Sequence, residues 1–500
     1  MVTQAKGVGV VDDPGLPLKL EAGQVCSNGE VAPVPPSPLV REAMRRARLL
    51  SDDRARRLGM DRRDFLVSSM GMATALWALA ACSSDDASSR GEEPGGSFDV
   101  PEEATVDADA ALEALGSDEP VLDVQTHLLE YPADYDGVGL GVLFPFGAEC
   151  GEDRATDCFT IERWKEELFD RSDTTVAVLS AISVIGDIDP LSAEVMARAR
   201  EQVDELCGDG RVLVQGHAWP NIGPLEAALD AMRAEAERYP IIAWKTYTHV
   251  GGDRGFRLTD DLGSALLEEV AVTGPPILCV HKGLVRGAAD TVIGDPVLAS
   301  PADVGPAAAS HPDVTIVVYH SGAEMEVVEG PYDPAGGGVD RLVRSLDDAG
   351  ISPGGNVYAE IGWTWRAKMG DPDEAAHLVG KLLVAVGEDN LLWGTDSIWA
   401  GSPQDQIDAF RSFRISEAFQ ERFGYPALTD ELKHKVLWRN AARLYGVDVY
   451  RQPCRPPAAE AEGLRRDLGR RRGNRTFGPR SAGAARRLFA AEHPWLRGRS

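Results

Sequence analysis

The chain has no Cys-x-x-Cys pair among its seven cysteines, and no glycine-rich dinucleotide or phosphate-loop motif follows any of its strand-like runs. The first absence removes the common zinc-ribbon and thioredoxin-like signatures. The second argues against an open, doubly wound nucleotide-binding sheet. Positive charge is also short: the formal net charge is −28, which disfavours nucleic acid as a partner because its phosphates would be repelled. The apolar stretch from Val67 to Ala81 is diluted by Ser68, Ser69, Gly71 and Thr74, and it falls short of the about 20 residues that a permanent membrane span needs. What is present is ordinary for a globular protein: 43% hydrophobic and 26% charged residues over 500 positions. That length holds one large barrel or two to three ordinary domains.

The ends differ from the middle. Residues 1–60 include the Pro-rich Val31-Ala-Pro-Val-Pro-Pro-Ser-Pro38 and read as a disordered leader. Residues 61–100 read as an export signal and linker: Arg62-Arg63-Asp-Phe-Leu66, a modest apolar core, Leu79-Ala-Ala-Cys82, then a polar Ser/Asp and Gly/Glu/Pro spacer. The paired arginines resemble a twin-arginine signal, and the Leu-Ala-Ala-Cys run resembles a bacterial lipobox with Cys82 as the lipidated residue. The expected location is therefore the cell envelope or the exterior, with membrane contact only through a signal or lipid anchor. In an oxidising compartment Cys150 and Cys158, which bracket a polar loop, are placed to form a disulfide, while Cys207 and Cys279 read as small core residues. Residues 449–500, rich in Arg, Pro and Gly, read as a disordered basic tail.

Between 118 and 448, eight short β-branched or aromatic runs alternate with amphipathic stretches. They begin at Val121, Thr174, Arg211, Ile241, Pro276, Val314, Val357 and Leu391. Helical spacing marks Leu191 to Leu206, Leu225 to Tyr239, Ala375 to Val386 and Leu428 to Tyr445. Eight such units predict a (β/α)8 TIM barrel with a long insertion after the first strand, Leu128 to Ser172. Four strands end on a potential metal ligand: His127, His281, His320 and Asp396. A parallel barrel gathers these ends around one pocket, so residues far apart in sequence can meet at one divalent ion.

The ordered set Asp123-x-Gln125-x-His127, His281, His320 and Gly394-Thr395-Asp396 resembles the amidohydrolase superfamily, in its branch of amidohydrolase-related hydrolases and decarboxylases. That resemblance implies one divalent metal, zinc or alternatively manganese, held by His127, His281 and Asp396. Gln125 stands where the family usually has a first histidine and is a poorer ligand. Asp396 is also implied as general base, and His320 as the catalytic histidine that orients water or polarises the substrate. Lys245, on the fourth strand, is a candidate partner for an anionic substrate group; His217 and Trp399 are candidates for the pocket wall, as are His249 and Glu360. The implied reaction is attack of metal-activated water on an ester, lactone or amide carbonyl of a small molecule. Two further readings stay open: non-oxidative decarboxylation of an aromatic or unsaturated acid, and a non-catalytic surface binding protein, which the Gln125 departure motivates. A homo-oligomer is left open as well.

Overall fold

The computed structural model describes residues 12–20, 34–132, 152, 155–182, 189–250, 254–285, 295–451, 454 and 456–474, with 481, 483 and 487. Its centre is an eight-stranded parallel sheet: β1 Leu122–Thr126, β2 Val176–Leu179, β3 Val212–His217, β4 Ile241–Tyr247, β5 Ile277–His281, β6 Thr315–Tyr319, β7 Val357–Glu360 and β8 Leu391–Leu392, each paired with the next. The strands are buried almost without a break, as strands covered on both faces must be. β8 is short, and the chain beyond it returns to β1. Val124 N–H donates to Trp393 O at 3.0 Å, Asp396 N–H to Gln125 O at 2.9 Å and His127 N–H to Ser397 O at 2.6 Å. These bonds join the first strand to the last, and the architecture is the expected TIM barrel.

Helices wrap the outside. α1 Pro38–Leu58 and α2 Ser69–Arg90 precede the barrel; α3 Ala193–Cys207, α4 Leu225–Arg238, α5 Asp261–Val272, α6 Val304–Ser310, α7 Asp340–Ala349, α8 Pro372–Val386 and α9 Gln404–Ser412 lie within it; α10 Ala458–Arg472 follows. Local chemistry sets their ends. The Ser192 hydroxyl accepts from Val195 N–H at the start of α3. The Asp371 carboxylate caps α8, with Pro372 in its first turn.

Among the described residues, parts of both ends are helical where their sequences suggest disorder. α1 is capped by Ser37 and closed by Gly59 at φ +64°, and its small stripe Ala43, Met44, Ala47 and Ala55 is buried against α2. Helical spacing of small residues there outweighs the Pro-rich lead. From Ser69 onward the apolar stretch read as a signal core lies inside α2, where Ala73, Leu76 and Leu79 have no exposed surface. Cys82 is a buried free thiol on the same helix. No helix among the described residues is long and apolar enough to cross a membrane.

The tail likewise contains α10, fastened by Arg465 to Asp173, by Arg470 Nε to Asp64 at 2.7 Å and by Arg472 Nε to Glu166 at 3.1 Å. A Cys207–Cys454 disulfide ties the approach to this helix to the end of α3, so Cys207 is not the isolated core residue that its neighbours suggest. Cys158 is disulfide-bonded. Cys150, and Leu143 to Phe146 of the insertion after β1, lie outside the described residues.

Candidate active site

The C-terminal rim of the barrel is where the backbone is strained. His320 at φ +63°, Ser321 at +50°, Trp363 at +55° and Asp396 at +55° are all non-glycine residues in the left-handed region. Each costs on the order of 1–3 kcal/mol, which the surrounding packing must over-determine. They follow β6, β7 and β8. Gly394 makes the exit from β8 feasible: a β-carbon there would stand 1.8 Å from Glu360 Oε1. The Asp123 carboxylate fixes the next residue, accepting from Thr395 N–H at 3.0 Å and from Gln125 N–H at 3.1 Å. Asp123 thus supports the site from beneath, and burial pushes its pKa up to about 7.

His127 Nε2 lies 3.0 Å from Asp396 Oδ1, with both side chains buried. The other ring nitrogen, Nδ1, is 2.7 Å from Ser180 O. A carbonyl only accepts, so Nδ1 carries the hydrogen. Nε2 and the carboxylate oxygen therefore need a positive centre between them, either a proton or a metal ion. Trp399 Nε1–H donates to the same Asp396 oxygen at 3.3 Å, and its ring stacks on His127 at 5.6 Å between centroids.

His320 is arranged in the same way. Its Nδ1–H donates to Gly362 O at 2.8 Å, and its backbone N–H donates to Glu360 Oε2 at 3.0 Å. Burial, reinforced by Lys245 and His127 and opposed by Asp396, lowers its pKa to about 4, so its Nε2 offers a lone pair at neutral pH. The Gln125 amide sits among these groups, its Nε2 3.3 Å from both Asp396 Oδ1 and His320 Nε2 and 3.5 Å from His127 Nε2. Burial also pushes Glu360 up to about 8.

The structure therefore brings Gln125, His127, His320, Asp396 and Trp399 together. His281 stands beside them, its ring 4.5 Å from that of His320, but its Nε2 is 3.0 Å from Gly283 O rather than aimed at Asp396. The reason lies in the turn after β5. Gly283 adopts φ +99°, and a β-carbon there would stand 2.5 Å from Ala323 O, so the chain folds tightly back over the imidazole. Burial holds the pKa of His281 well below its usual value and that of His249 at about 3.

Lys245 projects into the barrel with its ammonium 3.8 Å from the Tyr319 ring centre and 4.8 Å from that of Tyr247. His217 sits apart from the cluster, between Glu235 Oε1 at 2.9 Å and Asp189 Oδ2 at 3.4 Å. Tyr247 was not singled out from the sequence; its ring stacks on His281 at 4.8 Å. Its place two residues after Lys245 on an inward-facing strand was the available signal.

The donor set suits a cation: a tautomer-fixed imidazole, a carboxylate oxygen and an amide, all buried. Among the described residues no group of three or more His, Cys, Asp or Glu is arranged to hold a metal ion. The fit therefore depends on His127 and Asp396 with Gln125 as a further donor.

Similar folds occur in 2,6-dihydroxybenzoate decarboxylase from Rhizobium (15% identity, 66% of this chain and 99% of that one, TM-score 0.40). They occur also in 5-carboxyvanillate decarboxylase from Sphingomonas paucimobilis (12%, 66% and 99%, 0.39). A third is 5-carboxyvanillate decarboxylase from Novosphingobium aromaticivorans complexed with manganese (13%, 66% and 97%, 0.41). No curated protein matches the chain. Residues 122–447 match the Amidohydrolase family model, which covers all eight barrel strands from β1 to β8, and the chain belongs to that amidohydrolase family.

Proposed function

We propose that the chain is a metal-dependent hydrolase of an ester, lactone or amide. The observation that carries this reading is the 3.0 Å approach of His127 Nε2 to Asp396 Oδ1, two acceptors that require a cation or proton between them. A divalent ion there, zinc or manganese, would polarise the substrate carbonyl and lower the pKa of water. Asp396 takes the proton of the attacking water and returns it to the leaving group. Trp399 holds that carboxylate from the side. His320, with its hydrogen committed to Gly362 O, accepts a hydrogen bond from water through Nε2 and so orients it. The test is turnover of a panel of lactones, esters and amides after chelation and again after zinc or manganese is restored. Acid release that needs the ion is expected; no turnover on any of them under either condition removes the reading.

A second reading, non-oxidative decarboxylation, is favoured by Lys245. Its buried ammonium supplies positive charge beside the histidine cluster and suits a substrate carboxylate. Release of carbon dioxide from aryl carboxylates without consumption of water would select it.

We also propose export by the twin-arginine route. The Cys207–Cys454 bond supports it, because disulfides persist in oxidising compartments. The burial of Leu76, Leu79 and Cys82 within α2 weighs against removal or lipidation of that segment once it is folded. Replacement of Arg62 and Arg63 by Lys should leave the protein in the cytoplasm; unchanged export would exclude the route.

A further inference from the structure

We propose that the Cys207–Cys454 bond is an exchange site for small thiols, with Cys454 the sulfur attacked and Cys207 the sulfur released. The bond joins the end of α3 to the approach to α10. Both cysteines are half-buried, so an external thiolate can reach them.

The two sulfurs have unlike surroundings. Arg211 Nη1–H donates to Cys207 Sγ at 3.7 Å. The guanidinium is held in place: its Nε–H donates to Thr175 O at 3.0 Å, its Nη2–H donates to Thr174 O at 3.3 Å, and it lies 4.3 Å from the centre of the Phe169 ring. Arginine stays charged in proteins, so a full positive charge stands beside this sulfur. The end of α3 opposes it, but a helix C-terminus carries only about half a unit of negative charge. Asp204, on the same turn, is engaged by Arg200 at 3.3 Å. Cys454 Sγ instead lies 3.6 Å from Leu206 O. A carbonyl oxygen accepts from a thiol and repels a thiolate. Negative charge is thus favoured on Cys207 and disfavoured on Cys454.

That asymmetry sets the direction of exchange, because the better-stabilised thiolate leaves faster. An external thiolate attacks Cys454 Sγ, the S–S bond breaks, and its electron pair leaves with Cys207. A second external thiolate attacks the external sulfur of the mixed disulfide and releases Cys454. Two small thiols are oxidised to their disulfide and one protein disulfide is reduced; the two protons lost go to Cys454 and to Cys207 or the solvent.

The tail fastened by this bond covers the residues that follow Arg62 and Arg63. Arg470 Nε meets Asp64 at 2.7 Å, Glu462 Oε1 accepts from Ser69 N–H at 2.8 Å, and Asn474 Nδ2 donates to Leu66 O at 3.0 Å. Reduction loosens that cover where thiols are abundant, and oxidation closes it. This bearing on export rests on the twin-arginine reading, whereas the exchange itself does not.

The experiment treats the oxidised full-length protein with glutathione, quenches with iodoacetamide and maps the peptides by mass spectrometry. Early in the reaction, glutathione should be found on Cys454 and the alkyl group on Cys207. Arg211→Gln should slow opening by about three- to tenfold, and Arg211→Lys should restore most of the rate, with circular dichroism to check the fold. Should Arg211→Gln fail to fold, the wild-type map decides alone. Glutathione on Cys207 or divided equally, no opening at all, or an unaltered rate in folded Arg211→Gln overturns the proposal and leaves the export reading standing.

Discussion

The barrel rim and the seam where α10 docks are both buried and both rich in ionisable groups, yet they are built on opposite principles. At the seam, opposite charges meet. Asp173 takes Arg411 and Arg465, and Glu166 takes Arg472. Burial alone would raise the Asp173 carboxyl, but the two guanidiniums outweigh it and hold that carboxyl well below the usual carboxylate range. At the rim, acceptors are in surplus. Asp396 and the Nε2 atoms of His127 and His320 crowd a space into which the Trp399 indole and the Gln125 amide direct N–H donors. A matched set of charges holds elements together; an unmatched one awaits something from outside, and the strained backbone of His320 and Asp396 keeps it that way.

The comparison is broken most directly at Asp396. Asp396→Asn keeps shape and burial but removes the negative charge and the proton acceptor. Turnover should fall by about a thousandfold, equivalent to about 4 kcal/mol in the barrier, while far-ultraviolet circular dichroism stays unchanged. A variant that retains its rate would take Asp396 out of the chemistry. The corresponding change at the seam should do the reverse. Asp173→Ala leaves Arg411 and Arg465, both largely buried, without their shared partner. Stability should fall by about 3–5 kcal/mol, as when one member of a buried pair is removed. Urea denaturation measures this, and activity per folded molecule should survive.

The barrel was legible because its signal is repeated. Eight apolar runs at regular intervals fix the strand count, and the strand ends pick out His127, His320 and Asp396 without any knowledge of distance. The orientation of His281 was not legible, since it depends on a tight turn at Gly283 pressed against Ala323, a contact between two separate strand exits. The seam was hidden for a related reason. Composition marks the tail as basic, and only the fold reveals that acidic residues on the barrel and at Asp64 lie opposite its arginines. The helical α1 was masked by the Pro-rich residues before it, although its Ala43, Ala47 and Ala55 already carried the spacing.

Removing the covalent tie sharpens the seam side of the comparison. Cys454→Ser frees the tail from α3, and disulfides of this kind commonly contribute about 2–4 kcal/mol. The ion pairs remain, so the loss should appear as faster proteolytic trimming after residue 450 with little change in the barrel's own unfolding. Equal trimming rates would mean that the charges alone hold α10.

The smallest effects are those of pH, and their signs separate two sites. The Asp173 pKa is depressed in the fold, so its contribution is present above the unfolded value near 3.9 and is lost as pH falls through and below that value. His217 behaves oppositely. Burial lowers its pKa, but the hydrogen bond and charge of Glu235, with Asp189, outweigh burial and raise it above 6.5. Its contribution is fully present below that unfolded value and is lost as pH rises through the higher folded one. Asp173→Asn should therefore flatten the acid arm of the stability profile and His217→Gln the arm above neutrality, each leaving the other arm in place. Thermal melts across pH 3 to 9 read both arms. If either variant flattens both, the Asp173 and His217 clusters, each a matched set of charges, are coupled through the fold rather than independent.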